Sequence, residues 1–150
     1  GDQAMNLVEQ IYDQLVAISV DKLGGNWQRL KKIYEPAQND FRNIEQGFAI
    51  KHSAAAAESN ATKVFILSQQ FDILLADRAA NRDSDLAIQE RLNNLYSKAD
   101  DIFKECVRTR LSLDFVTHVD SLQFKEPELL TNGAILLTAS LDVRYYLDPY

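Results

Sequence analysis

The amino-acid sequence predicts an α+β domain of two layers, in which a mostly antiparallel β-sheet of about four to five strands carries two main α-helices on one face. Apolar and polar residues alternate along residues 134–147 and again along 63–77, and residues 84–110 form a long amphipathic helix pattern. Long alternating strands need neighbouring strands and an apolar cover for their dry face. A helix with one apolar stripe provides that cover, so the two layers follow.

Length and composition indicate one globular domain over residues 1–150. The chain is 46% apolar and 25% charged, and its net charge of -6 argues against a surface built to grip nucleic acid. We find neither an apolar run approaching the roughly 18 residues of a membrane span nor the pattern of a signal peptide. Cys106 is the only cysteine, which excludes an internal disulfide and fits a reducing compartment.

The first helix is predicted over residues 3–23 and ends at Gly24 and Gly25. Its apolar positions recur at spacings of four, four and three: Leu7, Ile11, Leu15 and Ile18. Residues 26–34 have the spacing of a short helix but also precede Pro36, and the residue before a proline avoids the helical region. A short strand is therefore favoured there.

Residues 48–57 are predicted as a strand, although four consecutive alanines favour a helix by propensity. The turn at 59–62 decides this, because it leads into a clear strand over 63–77 and so completes a hairpin. Alternate residues of that second strand are apolar, and the residues between them are polar. The apolar set is Phe65, Leu67, Phe71, Ile73 and Leu75, and the polar set is Ser68, Gln70 and Asp72.

The second helix is predicted over residues 84–110, with Asp83, Ser84 or Asp85 as its N-cap. Its apolar stripe comprises Ile88, Leu92, Leu95, Ala99, Ile102 and Cys106. A strand over 116–124 follows and ends before Pro127, and a turn at 131–133 leads into the last strand, 134–147. That strand should have one dry face and one wet face.

No catalytic, cofactor or metal site is predicted from the residues. His52 and His118 lack metal-ligand spacing, Cys106 lies on a core stripe, and phosphate-binding glycine loops and the nucleophile-elbow motif are absent from the sequence. This favours a protein that acts through its surface. The wet faces of the long strands suit plain solvent exposure, packing beside a sister subunit, or the lining of a channel.

Several strings of the sequence resemble the tail terminators of tailed bacteriophages, also called tail-completion or tube-terminator proteins. They are the Tyr34-Glu-Pro36 turn with Asn39-Asp-Phe-Arg42, the strand 64–77, the helix from Ser84, and Leu141-Asp-Val-Arg-Tyr145. The resemblance extends from the first helix to the last strand. It consists of several short similar stretches and includes no single diagnostic motif.

The resemblance implies a structural virion protein of the tail or neck, assembled in the host cytoplasm, that makes or breaks no bond. Its copies would form a ring, typically a hexamer, that caps the tail tube, stops tube polymerisation and joins the tail to the head connector or stopper protein. DNA would cross the lumen without specific binding, and no membrane is involved. Two alternatives stay open: another neck component such as a head-completion or stopper protein, and, more remotely, a small hydrolase.

A ring needs two different patches on each subunit. We expect one on a sheet edge or wet face and another on helix or loop surface, with the segments 35–46 and 78–83 contacting the tube or neighbouring copies. Aromatic residues near the end of the chain also suit an interface. The predicted interface residues are Asp40, Arg42, Asp77, Arg78, Tyr146 and Tyr150.

Overall fold

The computed structural model describes residues 6–34, 45–59, 65–79, 83–130 and 133–147. These ranges contain two α-helices and six β-strands. The helices are α1 (Leu7–Leu23) and α2 (Asp85–Thr109), and the strands are β1 (Gln28–Arg29), β2 (Gly47–Ser59), β3 (Phe65–Arg78), β4 (Val116–Phe124), β5 (Glu128–Leu129) and β6 (Ala134–Leu147).

The strands form one sheet in the order β1-β2-β3-β6-β4, and β5 pairs with the start of β6. Every pairing is antiparallel except that of β1 with β2. The predicted α+β fold class is confirmed. The short strand favoured within residues 26–34 is present as the two residues of β1. The sheet exceeds the predicted four to five strands because of β5, whose two residues are too few to leave an alternation in the sequence.

Both helices cover the same face of the sheet, where the main core lies. Leu95, Ala99, Ile102 and Cys106 of α2 are fully buried, and Ile88 and Leu92 pack against them at the margin. The predicted start of α2 is confirmed, because Ser84 Oγ accepts a hydrogen bond from the N–H of Ala87 at 3.1 Å. The apolar stripe that predicts this helix is therefore the stripe that the sheet buries.

A smaller core lies on the opposite face of the sheet, at the end where β6 begins. It comprises Leu30, Ala49, Leu74, Ala76, Ala134 and Leu136, with Ile33 and Leu130 packed against it. The prediction of a wet face along the whole of β6 is therefore wrong at this end. The chain after β1 and the residue after β5 lie over this face, so its apolar positions are removed from water.

The junction between α2 and β4 contains three consecutive residues with positive φ. Arg110, Leu111 and Ser112 have φ of 49°, 58° and 55°, a conformation that costs an L-residue about 1–2 kcal/mol. Leu111 is fully buried in the main core, and burying a leucine side chain contributes about 1.5–3 kcal/mol. The strained turn persists because it delivers this side chain to the core.

We predict that Ser112→Gly raises the free energy of unfolding by about 1 kcal/mol, because glycine adopts positive φ without strain. Ser112 is exposed, so no contact of importance is lost. Ser112→Ala is the matched control and should change stability by less than about 0.5 kcal/mol, since it keeps the strain. Urea unfolding followed by circular dichroism measures both, and a destabilised glycine variant contradicts the assignment of strain.

Candidate interaction surfaces

The predicted interface residues within the described ranges lie at two ends of the sheet. Asp77 and Arg78 end β3 beside the start of β6, whereas Tyr146 lies near the end of β6. Asp77 pairs with Ile135, which lies eleven residue steps along β6 from Tyr146, about 36 Å at the rise of a strand. Asp40, Arg42 and Tyr150 lie outside the described residues. Asp77 and Arg78 therefore do not form one patch with Tyr146.

Asp77 ties the end of β3 to the start of α2. Its Oδ1 accepts a hydrogen bond from the N–H of Arg78 at 2.7 Å and lies 3.5 Å from Nη1 of Arg91. Arg91 Nε also donates to Asp83 Oδ2 at 3.1 Å. Asp77 is only 7% exposed, so its contacts are internal, whereas Arg78 is half-buried and lines a polar cleft of about 450 Å³ with Glu45.

The face of the sheet opposite the helices, here called the open face, has a buried carboxylate at its centre. Asp72 is 2% exposed. Ser140 Oγ donates to Asp72 Oδ1 at 2.6 Å, and Lys125 Nζ donates to Oδ2 at 3.3 Å. A buried charge needs such partners, because an unpaired carboxylate in the interior is very costly. The three side chains join β3 to β6 and to the residue that follows β4.

A second group of charges lies farther along the open face. Asp120 of β4 and Asp142 of β6 are directly paired across the strands. Partial burial raises the pKa of the Asp142 carboxyl, the negative charge of Asp120 raises this pKa further, and Arg144 opposes both effects. Asp120 Oδ2 lies 3.5 Å from His118 Nε2 and 4.0 Å from Arg144 Nε.

An apolar groove of about 540 Å³ lies on the helix side, where the sheet passes the start of α1. It is lined by Leu7, Val8 and Tyr12 of α1 and by Leu67, Tyr145 and Leu147 of the sheet, with Asn6, Glu9 and His52 completing the lining. His52 stacks on Tyr12 with ring centroids 5.0 Å apart, and Arg29 Nη2 donates to the Tyr12 hydroxyl at 2.6 Å. The lining of this groove is mainly apolar.

The two histidines and the cysteine have packing or ion-pair contacts in the fold. His52 contacts the rings of Tyr12 and Phe71, and His118 belongs to the open face. Cys106 is buried, and burial raises the pKa of its thiol to about 12. Among the described residues, no group of three or more His, Cys, Asp or Glu side chains is arranged to hold a metal ion, and no helix is long and apolar enough to cross a membrane.

The cluster of Asp72, Ser140 and Lys125 is not predicted by the sequence. Alternation places Asp72 and Ser140 on the polar parity of two strands, but it does not give the register that puts them side by side. Lys125 is the residue directly after β4. Its side chain can contact Asp72 of β3 only if a single strand, β6, lies between β3 and β4. The strand order β3-β6-β4 supplies both pieces of information.

The chain was compared with known protein families, curated proteins and solved structures. No protein-family model matches the chain, and no curated protein matches it. Among solved structures, the chain is similar to a chain of the virion of a native gene transfer agent particle, with 12% sequence identity and a TM-score of 0.44 over 91% of this chain and 92% of that chain. A similarity of this extent does not define the family of the chain.

We predict that Ser140→Ala lowers the free energy of unfolding by about 1–3 kcal/mol, because it removes a hydrogen bond from the buried Asp72 carboxylate. Urea unfolding at neutral pH measures the loss. Ser68→Ala is the control, since Ser68 is half-buried on the same face and should cost less than about 0.5 kcal/mol. Equal effects of the two substitutions would contradict a special role for Ser140.

We predict that Asp142→Asn raises the free energy of unfolding at pH 7 by roughly 0.5 kcal/mol, because it removes a like-charge pair with Asp120. The raised pKa means that ionisation of Asp142 opposes folding. This destabilising contribution is present at neutral pH and disappears once the carboxyl is protonated, below its ordinary pKa of about 3.9.

The difference between Asp142→Asn and the unaltered protein should therefore shrink as the pH falls, which urea unfolding at several pH values measures. Asp120→Asn is the matched control. It removes the same repulsion but also the contacts of Asp120 with His118 and Arg144, so it should give no gain. A loss of stability in Asp142→Asn at pH 7 would count against this account.

Proposed function

We propose that this protein is a structural subunit of a phage-type tail, a tail terminator whose copies form a ring of about six. The ring caps the tail tube, stops its polymerisation and joins the tail to the head connector or stopper protein. The sequence strings described above support the family, and the open face carries the structural argument. No reaction is part of this role.

The charge balance of the open face is the observation that supports this function most directly. The described residues at the middle of this face include the carboxylates Asp72, Asp120 and Asp142 and the cationic side chains Lys51, Lys125 and Arg144. The carboxylates Asp72 and Asp120 lie beside cations of the chain itself. Such a face presents neither the clustered basic residues that grip phosphates nor a dense negative field that repels them.

Such a face suits the lumen of a ring through which DNA must pass without being held. The lumen would then be lined by the middle of the open face, with the helices on the outside of the ring. This arrangement also places both ends of the long strands at the two rims. Arg78 lies at one end and Tyr146 at the other, so they would contact different partners, one the tube and one the connector.

The interface roles of Asp40, Arg42, Arg78, Tyr146 and Tyr150 remain part of this proposal. Asp77 is assigned a positioning role instead of a direct contact, because its carboxylate orients Arg91 and the start of α2 beside Arg78. We expect that charge reversal at Arg78 would impair one rim of the ring. Changes at Tyr146 would impair the other.

The proposed ring predicts a defined, concentration-dependent mass. Multi-angle light scattering of the purified protein over a wide concentration range should show a monomer passing into one closed species of about six subunits, seen as rings by negative-stain microscopy. Open polymers of growing length, or a monomer up to the highest soluble concentration, would contradict the proposed function. Arg78→Glu should leave the ring mass unchanged, because this side chain is assigned to a rim.

A further inference from the structure

Two long strand edges of the sheet are without a strand neighbour in the part of the chain that the structure describes. The strand β1 pairs only with residues 47 and 48 of β2, so the outer edge of β2 is uncovered from Lys51 to Ser59. At the other side of the sheet, β4 pairs only with β6, which leaves its outer edge uncovered. Such edges present backbone N–H and C=O groups that can pair with another strand.

The directions of these two strands are opposite. The pairings of β2 with β3, β3 with β6 and β6 with β4 are all antiparallel, so β2 and β4 run antiparallel to each other. A second copy related by rotation about an axis along the strands keeps every strand direction. It therefore brings its β2 beside β4 of the first copy in the antiparallel arrangement.

The two edges also lie at the same height along the sheet. Following the pairings across β3 and β6, three residues of β2 are level with three residues of β4. These levels are Ala55 with Val119, Ala56 with His118, and Ala57 with Val116. Directly opposite residues of a sheet share a face, so a strand added at these levels keeps the faces of the two sheets in line.

Both edges are bent at nearly the same level. The register of β2 shifts at residues 53–54, opposite Gln70. The register of β4 shifts between Val116 and His118 and again at residues 121–122, the second time opposite Leu141. Gln70 pairs with Asp142, the next residue along β6. A bulge bends its strand and increases its twist, so both edges change direction at this shared level.

We propose that copies of this chain join edge to edge, with β2 of one copy adding antiparallel to β4 of the next. The sheets then continue from subunit to subunit, with the open face along the inside. This inference deepens the proposed ring, on which its closure rests. The partner is a second copy because the two edges of one chain have opposite directions, overlapping heights and a bend at one shared level, which together allow antiparallel self-addition by rotation.

Paired cysteines test this contact directly. Ala56→Cys and His118→Cys are made in separate preparations, mixed, oxidised and analysed on non-reducing gels. Two cysteines form a disulfide only when their Cα atoms are about 4.4–6.8 Å apart. Cys106 is buried, with the pKa of its thiol raised to about 12, so it should not react in the folded protein. We expect dimers from the mixture and little from either variant alone.

Lys51→Cys mixed with Gln123→Cys provides a second test, because these positions are level through Asp72 and Ser140. It keeps the inference testable if one of the first variants does not fold. The matched control mixes Ala56→Cys with Arg108→Cys, whose side chain is exposed on α2 and should not cross-link.

The outcomes separate this inference from the proposed function. Rings without cross-links from either mixture overturn edge pairing and leave the ring intact. Cross-linked dimers from the mixtures, together with open polymers and no closed rings by microscopy, support edge pairing and overturn the terminator function. Efficient dimers from a single variant alone indicate a two-fold contact between identical edges and overturn the head-to-tail pairing.

Discussion

The pairing of β3 with β6 is the interaction on which the other parts of the structure depend. Both strands have fourteen residues, and they pair without a register shift from Phe65 with Leu147 to Arg78 with Ala134. A slip of one residue would move every apolar side chain of one strand to the wrong face. The helices, the buried Asp72 and both outer strands take their positions from this register.

The strength of this register explains how much of the fold the sequence predicts. The strands 116–124 and 134–147 have the predicted bounds, and the starts of β3 and α2 lie within two residues of their predictions. Each of these elements has a periodicity held over many residues. Even the alanine-rich stretch of β2 is a strand, because pairing with β3 outweighs the helix propensity of four alanines.

The surfaces are less accessible from the sequence because they depend on which strands are neighbours. Alternation identifies Asp72 as polar but cannot show that it is buried by Ser140 and Lys125. Likewise, the two-residue strand Glu128–Leu129 has no periodicity to detect, whereas Gln28–Arg29 lies within the short strand favoured for residues 26–34. Leu74 and Leu136 lie on the alternate positions that were predicted to face solvent. Their apolar side chains are the feature of the sequence that indicates the second small core.

The second small core has a consequence for how the molecule deforms. Where β6 begins, the sheet is covered on both faces, whereas near Tyr146 and Leu147 it is partly exposed. Buried area and opening free energy vary together within a protein, so the sheet is stiff at one end and compliant at the other. A subunit built in this way can keep its shape at the covered end while the other end adjusts to the surface it meets.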